Sequence, residues 1–102
     1  MAVAEIFKAL GDPFRLEMVQ RLSNGVPSTI SVVSSDLGIS RQGARKHLQI
    51  LADANLVILE AKGRDVIVQL ERNSLEQAKA FIAEMETRWD RRLEALRTLL
   101  EE

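Results

Sequence analysis

The sequence predicts one domain of the α+β class, mostly α-helical with a small β-hairpin. Three observations lead to this class. Apolar residues recur at spacings of three and four over most of the chain, which is the period of a helix with one buried face. Two short segments rich in Val, Ile and Leu lie on either side of Lys62-Gly63-Arg64, as the strands of a hairpin do. A final segment keeps the helical spacing from Leu75 to Leu100.

Two helices are predicted at the start of the chain, over residues 2–10 and 13–23. Gly11 ends the first helix. Asp12 is suited to cap the second, because its carboxylate accepts hydrogen bonds from the free amides of the first turn. Pro13 then occupies the first helical position, where a missing N–H costs nothing. A Ser-Asn-Gly stop signal ends the second helix.

Next come a short third helix and a longer fourth helix, predicted over residues 31–37 and 41–54. Ser31 is expected to cap the third helix, and Gly38 to supply the turn after it. Ser40 is expected to cap the fourth helix, which ends where Asn55 takes a left-handed conformation. Two helices joined by a short glycine-containing turn form a helix-turn-helix, here predicted over residues 31–54.

The two strands of the hairpin are predicted over residues 56–61 and 65–70, so the hairpin as a whole spans residues 56–70. A long final helix is predicted over residues 74–100, with Asn73 or Ser74 as its cap. A helix-turn-helix followed by such a hairpin, or wing, is a winged helix-turn-helix. Residues 1–102 are therefore predicted to form a single domain of this kind.

Composition and charge limit the functions that this chain can have. Its formal net charge is −1, it has no cysteine and one histidine, and 46% of its residues are hydrophobic. These values are typical of a folded globular domain. No apolar run is long enough to cross a bilayer and the N-terminus lacks the features of a secretory signal, so we expect a cytoplasmic protein without a membrane partner. No nucleophile–base pair or phosphate-binding glycine loop is recognisable, so no enzyme activity is predicted.

The exposed face of the predicted fourth helix carries cations and amides. From residue 38 to residue 50 there are three basic residues and no acid, a local charge of +3. A basic helix by itself can be a solvated surface, but the helix-turn-helix context favours DNA binding, because the major groove admits one α-helix. The candidate DNA-binding residues are Ser40, Arg41, Gln42, Arg45, Lys46 and Gln49 of this helix, with Lys62 and Arg64 at the wing tip.

These residues are assigned two kinds of contact. Arg41, Gln42 and Arg45 lie near the start of the helix and carry groups that can bond base edges. Lys46 and Gln49 lie farther along the exposed face, so they are assigned to phosphate or groove-edge contacts. The wing cations are expected to contact phosphate or the minor groove and to make binding more sensitive to salt.

The apolar stripe of the last helix is longer than a small helical domain can cover. A monomer rarely exposes an apolar patch of this extent. Two copies packed about a twofold axis would bury it and would set two recognition helices about 34–36 Å apart, one turn of DNA. The sequence therefore predicts a homodimer that binds an inverted repeat. The predicted interface residues are Val3, Ile6 and Phe7 of the first helix and Ile82, Met85, Trp89, Leu93, Leu96 and Leu100 of the last.

Two stretches, LGDPFRLEMVQRL and SRQGARKHLQILADANLV followed by the charged wing, resemble the ArsR/SmtB family of winged-helix transcriptional regulators. The most specific parts are Leu-Gly-Asp-Pro-x-Arg, from Leu10 to Arg15, and the Ser-x7-Leu-x2-Leu-x4-Leu-Val frame from Ser40 to Val57. The resemblance covers nearly the whole chain. It implies a homodimer held by its first and last helices, which binds a palindromic operator and usually represses transcription.

The chain departs from the metal-sensing members of that family. Where these often carry Cys-x-Cys, this sequence reads SVVSSDL, and its last helix has no histidine. Thiolates and imidazoles are the usual ligands of the sensed metals, so we expect no metal site and no cofactor, and the small-molecule or protein effector stays open. His47 is expected to be packed or to contact phosphate. The alternative function is a protein-interaction module that uses the same fold without binding DNA, which the slightly acidic total charge would suit.

Overall fold

The computed structural model describes residues 2–101, and within them the chain forms five α-helices and three β-strands. In chain order these are α1 (Val3–Leu10), α2 (Pro13–Leu22), β1 (Ser28–Thr29), α3 (Ile30–Val33), α4 (Arg41–Asp53), β2 (Val57–Lys62), β3 (Asp65–Leu70) and α5 (Arg72–Glu101). The predicted α+β winged helix-turn-helix class is confirmed. None of the helices described is both long and apolar enough to cross a membrane.

The junction between α1 and α2 is held by Asp12 and Arg15. The Asp12 carboxylate caps α2 by accepting hydrogen bonds from the amides of Phe14 at 2.8 Å and Arg15 at 3.2 Å, with Pro13 at the first helical position as predicted. Arg15 Nε donates to the carbonyl of Ala9 at 2.6 Å, which satisfies one of the free carbonyls at the end of α1. These contacts fix the angle between the two helices.

Asp12 also makes the stability of the fold depend on pH. Desolvation acts to raise the pKa of this carboxyl, but the amides of Arg15 and Phe14 and the nearby charges of Arg15 and His47 outweigh it and hold the pKa below its usual value. Such a carboxyl stabilises the folded state fully at pH values above the pKa that it has in the unfolded chain, which is about 4 for Asp. As the pH falls through the lower pKa of the folded state, this stabilisation is lost.

We therefore expect Asp12→Asn to flatten the loss of stability in acid. The Asn side chain can still cap α2 but does not titrate, so the free energy of unfolding of the variant should fall less than that of the wild type below about pH 4. Urea denaturation at a series of pH values measures this difference. Parallel curves for the two proteins would show that Asp12 does not contribute to acid sensitivity.

The cap of α3 is not the one predicted. The hydroxyl of Thr29 accepts a hydrogen bond from the amide of Val32 at 3.2 Å, so the helix begins at Ile30 and the prediction of Ser31 as its cap is wrong. Local sequence does not determine whether Thr29 or Ser31 caps the helix, because both carry a hydroxyl. The pairing of Thr29 with a distant strand decides between them.

The predicted end of α3 at residue 37 is also wrong. Arg21 Nη1 donates to the carbonyls of Val33 at 3.2 Å and Ser35 at 2.6 Å, and these contacts from α2 hold the segment that follows Val33 in a non-helical path. Asp36 adopts a φ of 60°, which a right-handed helix does not allow. Gly38 has a φ of 72° and supplies a turn before α4, as predicted.

The sheet contains a strand that the sequence does not predict. β1 pairs antiparallel with β3, with Ser28 opposite Val68 and Thr29 opposite Ile67, so the strand order is β1-β3-β2. A strand of two residues contains no alternation of polar and apolar positions, so it gives no periodic signal. This short pairing places the start of α3 beside the wing.

The wing itself agrees closely with the prediction. β3 has the predicted bounds, whereas β2 lies one residue later and includes Lys62, which pairs across the hairpin with Asp65. The tip is therefore a two-residue turn of Gly63 and Arg64, and Gly63 takes a φ of 63° that favours glycine.

The core is formed by the inner faces of the helices and the sheet. The largest fully buried side chains are Ile6, Met18, Leu22, Val33, Leu48, Leu51, Leu56 and Val68. Ile6 is 0% exposed, so its predicted place in a subunit interface is wrong: its side chain lies inside the protomer and has no surface to offer a second copy. Val3 and Phe7 are partly exposed on the same helix.

α5 begins at Arg72 rather than at residue 74, so neither Asn73 nor Ser74 is its cap. Ser74 is buried instead, and its hydroxyl donates to the carbonyl of Ala54, just beyond the last residue of α4, at 2.7 Å. The described part of α5 is 30 residues long and continues far beyond the core.

Candidate nucleic-acid interface

The fourth helix has one packed face and one free face. Ser40 caps it as predicted, its hydroxyl accepting a hydrogen bond from the amide of Gly43 at 3.0 Å, and Asn55 takes the predicted left-handed conformation with a φ of 56°. Ala44, Leu48 and Leu51 are buried against the core. The opposite face exposes all the predicted groups, which are Arg41, Gln42, Arg45, Lys46 and Gln49.

The cations of this face and of the wing have no acidic partners. Among residues 2–101, no carboxylate lies within 4.0 Å of the charged nitrogens of Arg41, Arg45, Lys46, Lys62 or Arg64. Some of the arginines of α2 and α5 do pair with a carboxylate. The helix and the wing together place five cations without an acidic partner on one surface, which favours an anionic partner.

Gln49 differs from its neighbours because its side chain is already engaged. Its amide nitrogen donates to Asp53 Oδ1 at 2.9 Å, one turn farther along α4. A contact between Gln49 and a phosphate would have to replace this hydrogen bond and would bring the phosphate near a carboxylate. The geometry is thus less favourable to Gln49 than the sequence suggests.

His47 faces α2 instead of the free face. Its Nδ1 lies 3.2 Å from Arg15 Nη1 and 3.9 Å from Asp12 Oδ1, and its ring lies 5.6 Å from the ring of Phe14. Because Arg15 can only donate, Nδ1 accepts that hydrogen bond when the imidazole is neutral. Within residues 2–101, no three His, Asp or Glu side chains form a group that could hold a metal ion.

The wing and the recognition helix meet at a cleft, here called the arginine cleft. Its polar lining consists of Arg41 and Arg45 of α4, Arg64 and Asp65 of the wing, and Thr29 and Ser31 at the start of α3. The sequence predicts DNA contacts for the three arginines but does not predict that they share one cleft. Thr29 and Ser31 carry no sequence signal for this position, because only the pairing of β1 with β3 places them there.

The distal part of α5 carries an apolar face that no other described part of the chain buries. From Lys79 onward every described side chain is exposed, including Trp89 at 64% and Leu100 at 76%. The other predicted interface residues of this helix, Ile82, Met85, Leu93 and Leu96, are exposed as well, and so are Phe81 and Leu99, which the sequence analysis does not include. Phe7 of α1 contacts Phe81 edge to face, with ring centroids 5.7 Å apart, so α1 borders the apolar face.

Comparison with known proteins gives a family model and a curated relative. The model of a helix-turn-helix domain family, HTH_20, matches residues 10–60, which is half of the chain. The uncharacterized HTH-type transcriptional regulator YuzN of Bacillus subtilis (strain 168) is 40% identical to this chain over 65 residues, an alignment that covers 58% of this chain and 71% of the relative.

Solved structures also match. The ArsR family transcriptional regulator RHA00566 has a TM-score of 0.80 at 29% identity, covering 85% of this chain and 89% of that chain. The homodimeric winged helix-turn-helix DNA-binding domain Mb0332 of Mycobacterium bovis has a TM-score of 0.61 at 24% identity, covering 90% of this chain and 82% of that chain. Because the sequence identity to Mb0332 is low, this second match shows only that the two chains share a fold.

Proposed function

Since the chain belongs to the HTH_20 helix-turn-helix family and is a winged helix-turn-helix transcriptional regulator of the ArsR type, we propose that it represses transcription as a homodimer bound to an inverted-repeat operator, without a metal ion. The observation that carries this proposal is the free face of α4, where every cation lacks an acidic partner within the described chain.

In this proposal α4 enters the major groove. Arg41, Gln42 and Arg45 occupy its first turns, where the side chains of a recognition helix reach base edges. Arg can bond guanine with two hydrogen bonds, and Gln can do the same with adenine. Lys46 lies farther along the helix and Lys62 on the wing, so both are assigned to phosphates.

The homodimer is supported by the exposed face of α5. A helix that leaves Trp89, Leu93 and Leu100 in solvent gains stability when a second copy covers them, because burial of apolar surface is favourable. The structural neighbour Mb0332 is homodimeric, which agrees with this arrangement. Twofold pairing would place the two copies of α4 on successive turns of one face of the DNA.

Repression and independence from metal have separate supports. A dimer on an operator inside a promoter occupies DNA that the transcription machinery needs, so binding alone suffices to repress. The chain has no cysteine and its last helix has no histidine, so it lacks the thiolates and, on that helix, the imidazoles that usually bind a sensed metal.

The proposal predicts that Gln42 reads sequence. Selection from a random pool of duplexes first identifies the operator, which should be an inverted repeat. We expect Gln42→Ala to weaken binding to that operator by about 1–3 kcal/mol, or about 5- to 150-fold, with little effect on random DNA. Fluorescence anisotropy measures both affinities.

Gln20→Ala is the matched control, since Gln20 is also an exposed glutamine but lies on α2. This variant should leave both affinities unchanged. Equal losses on operator and random DNA would remove Gln42 from base reading. If the wild-type protein bound no DNA at moderate salt and instead formed a stable complex with another protein, the interaction-module alternative would replace the proposed function.

A further inference from the structure

The arginine cleft collects more positive charge than any one contact with a base requires. Arg41, Arg45 and Arg64 all line it, and none of them has an ion-pair partner within the described residues. One carboxylate, Asp65, lines it too, which leaves a net charge of +2. The polar groups of Thr29 and Ser31 complete the lining with hydroxyls that can donate hydrogen bonds.

The position of the cleft determines which part of DNA can reach it. If α4 fills the major groove, the groove has no room for the wing beside it, because its width matches one helix. The wing must then lie over the sugar–phosphate backbone that borders the groove, or reach across that backbone into the minor groove. A cleft between α4 and the wing therefore faces that backbone, not the base edges.

The cleft is small, with a volume of about 10 Å³, which is room for about one oxygen atom. From this geometry we infer that the mouth of the arginine cleft receives an oxygen of one phosphodiester group of the operator, shared by Arg41 and Arg45 of α4 and Arg64 of the wing. The inference rests on the proposed function and sharpens it. Two of the three candidate base readers, Arg41 and Arg45, become phosphate ligands, and Gln42, which does not line the cleft, remains the base reader. Three guanidinium groups around one oxyanion also supply the directed hydrogen bonds that phosphate oxygens accept.

Salt dependence tests this sharing, because the slope of log K against log salt counts the phosphates that a protein neutralises. Each phosphate contributes about 0.9 to the slope, so three arginines on one phosphate represent about 0.9 per protomer and three on separate phosphates about 2.7. We therefore expect the triple variant Arg41→Gln, Arg45→Gln, Arg64→Gln to lower the slope by about 0.9 per protomer.

The double variant Lys46→Gln, Lys62→Gln is the matched control, since neither lysine lines the cleft. If the two lysines contact two independent phosphates, the slope should fall by about 1.8 per protomer. The double variant removes fewer charges than the triple variant, yet it should cause the larger decrease in the slope. All the substituted side chains are exposed, and circular dichroism should be the same for every variant.

A second measurement locates the phosphate on the DNA. Operator phosphates can be replaced one at a time with neutral methylphosphonates. At the phosphate that the three arginines share, this replacement removes their contact, so the wild type and the triple variant should bind that DNA with equal affinity. We expect one such position in each half-site. Inorganic phosphate offers the same acceptor oxygens, so at equal ionic strength it should displace operator DNA from the wild type better than chloride does, and the triple variant should lack this preference. An equal preference in both proteins would overturn the inference.

The outcomes separate the inference from the proposed function. If no variant or wild-type protein binds DNA, the proposed function fails. If the wild type binds its operator but the triple variant loses about 2.7 of slope per protomer, or no single methylphosphonate equalises the proteins, only the shared phosphate is refuted.

Discussion

Leu93→Glu is expected to convert the protein to a monomer and to lower its affinity for the operator about 100-fold or more. Leu93 lies in the middle of the exposed apolar face of α5, and a carboxylate there would be desolvated without a partner when two copies meet. A monomer engages one half-site at a time, so it loses the effective concentration that links the two half-sites, worth about 10²–10⁴ in affinity.

Sedimentation equilibrium and operator binding together check this expectation. The protomer should remain folded, because the side chains of α5 from Lys79 onward are exposed in the single chain. Arg91→Gln is the control: it changes the charge by the same amount but lies two residues away, on the opposite side of the helix. A Leu93→Glu protein that stayed dimeric and kept its operator affinity would exclude α5 as the interface.

Leu48→Ala is expected to reduce the free energy of unfolding by about 2–5 kcal/mol, a large share of the roughly 5–15 kcal/mol typical of a domain. Leu48 is fully buried on the inner face of α4, so truncation removes apolar contacts and leaves a cavity under the recognition helix. Urea denaturation monitored by circular dichroism measures the change.

Lys46→Ala serves as the control for Leu48→Ala, since Lys46 is exposed two residues away on the same helix. Its effect on stability should stay within about 0.5 kcal/mol, whereas its affinity for DNA should fall. A loss below about 1 kcal/mol for Leu48→Ala would mean that the inner face of α4 does not hold the recognition helix in place.

Most of the helices and the wing could be predicted because their signals are local. Asp12 and Ser40 cap helices through hydrogen bonds to amides two or three residues away, and Asn55 ends α4 by its own backbone conformation. The strands of the wing alternate as a half-buried hairpin should, with Val68 of β3 buried and Gln69 exposed. Helical periodicity likewise predicts that the candidate DNA-binding side chains of α4 are exposed, as the structure has them.

The short elements could not be predicted because distant contacts decide them. Thr29 joins β1 only because β3, almost forty residues later, offers a free edge. α3 ends early because Arg21 on another helix binds carbonyls after it. Ile6 has the spacing of an interface residue, yet it packs inside the protomer. The sequence could not predict this, because periodicity identifies an apolar face but not the residues that cover it.

The amino-acid sequence by itself determined the class of fold, the positions of the main helices and the basic face of α4, because periodicity, capping and charge are properties of neighbouring residues. Tertiary structure alone decided which apolar side chains stay exposed on α5 and which arginines meet between α4 and the wing. Those outcomes depend on contacts between segments far apart in the chain, and chain closure brings such segments together only when the whole core forms.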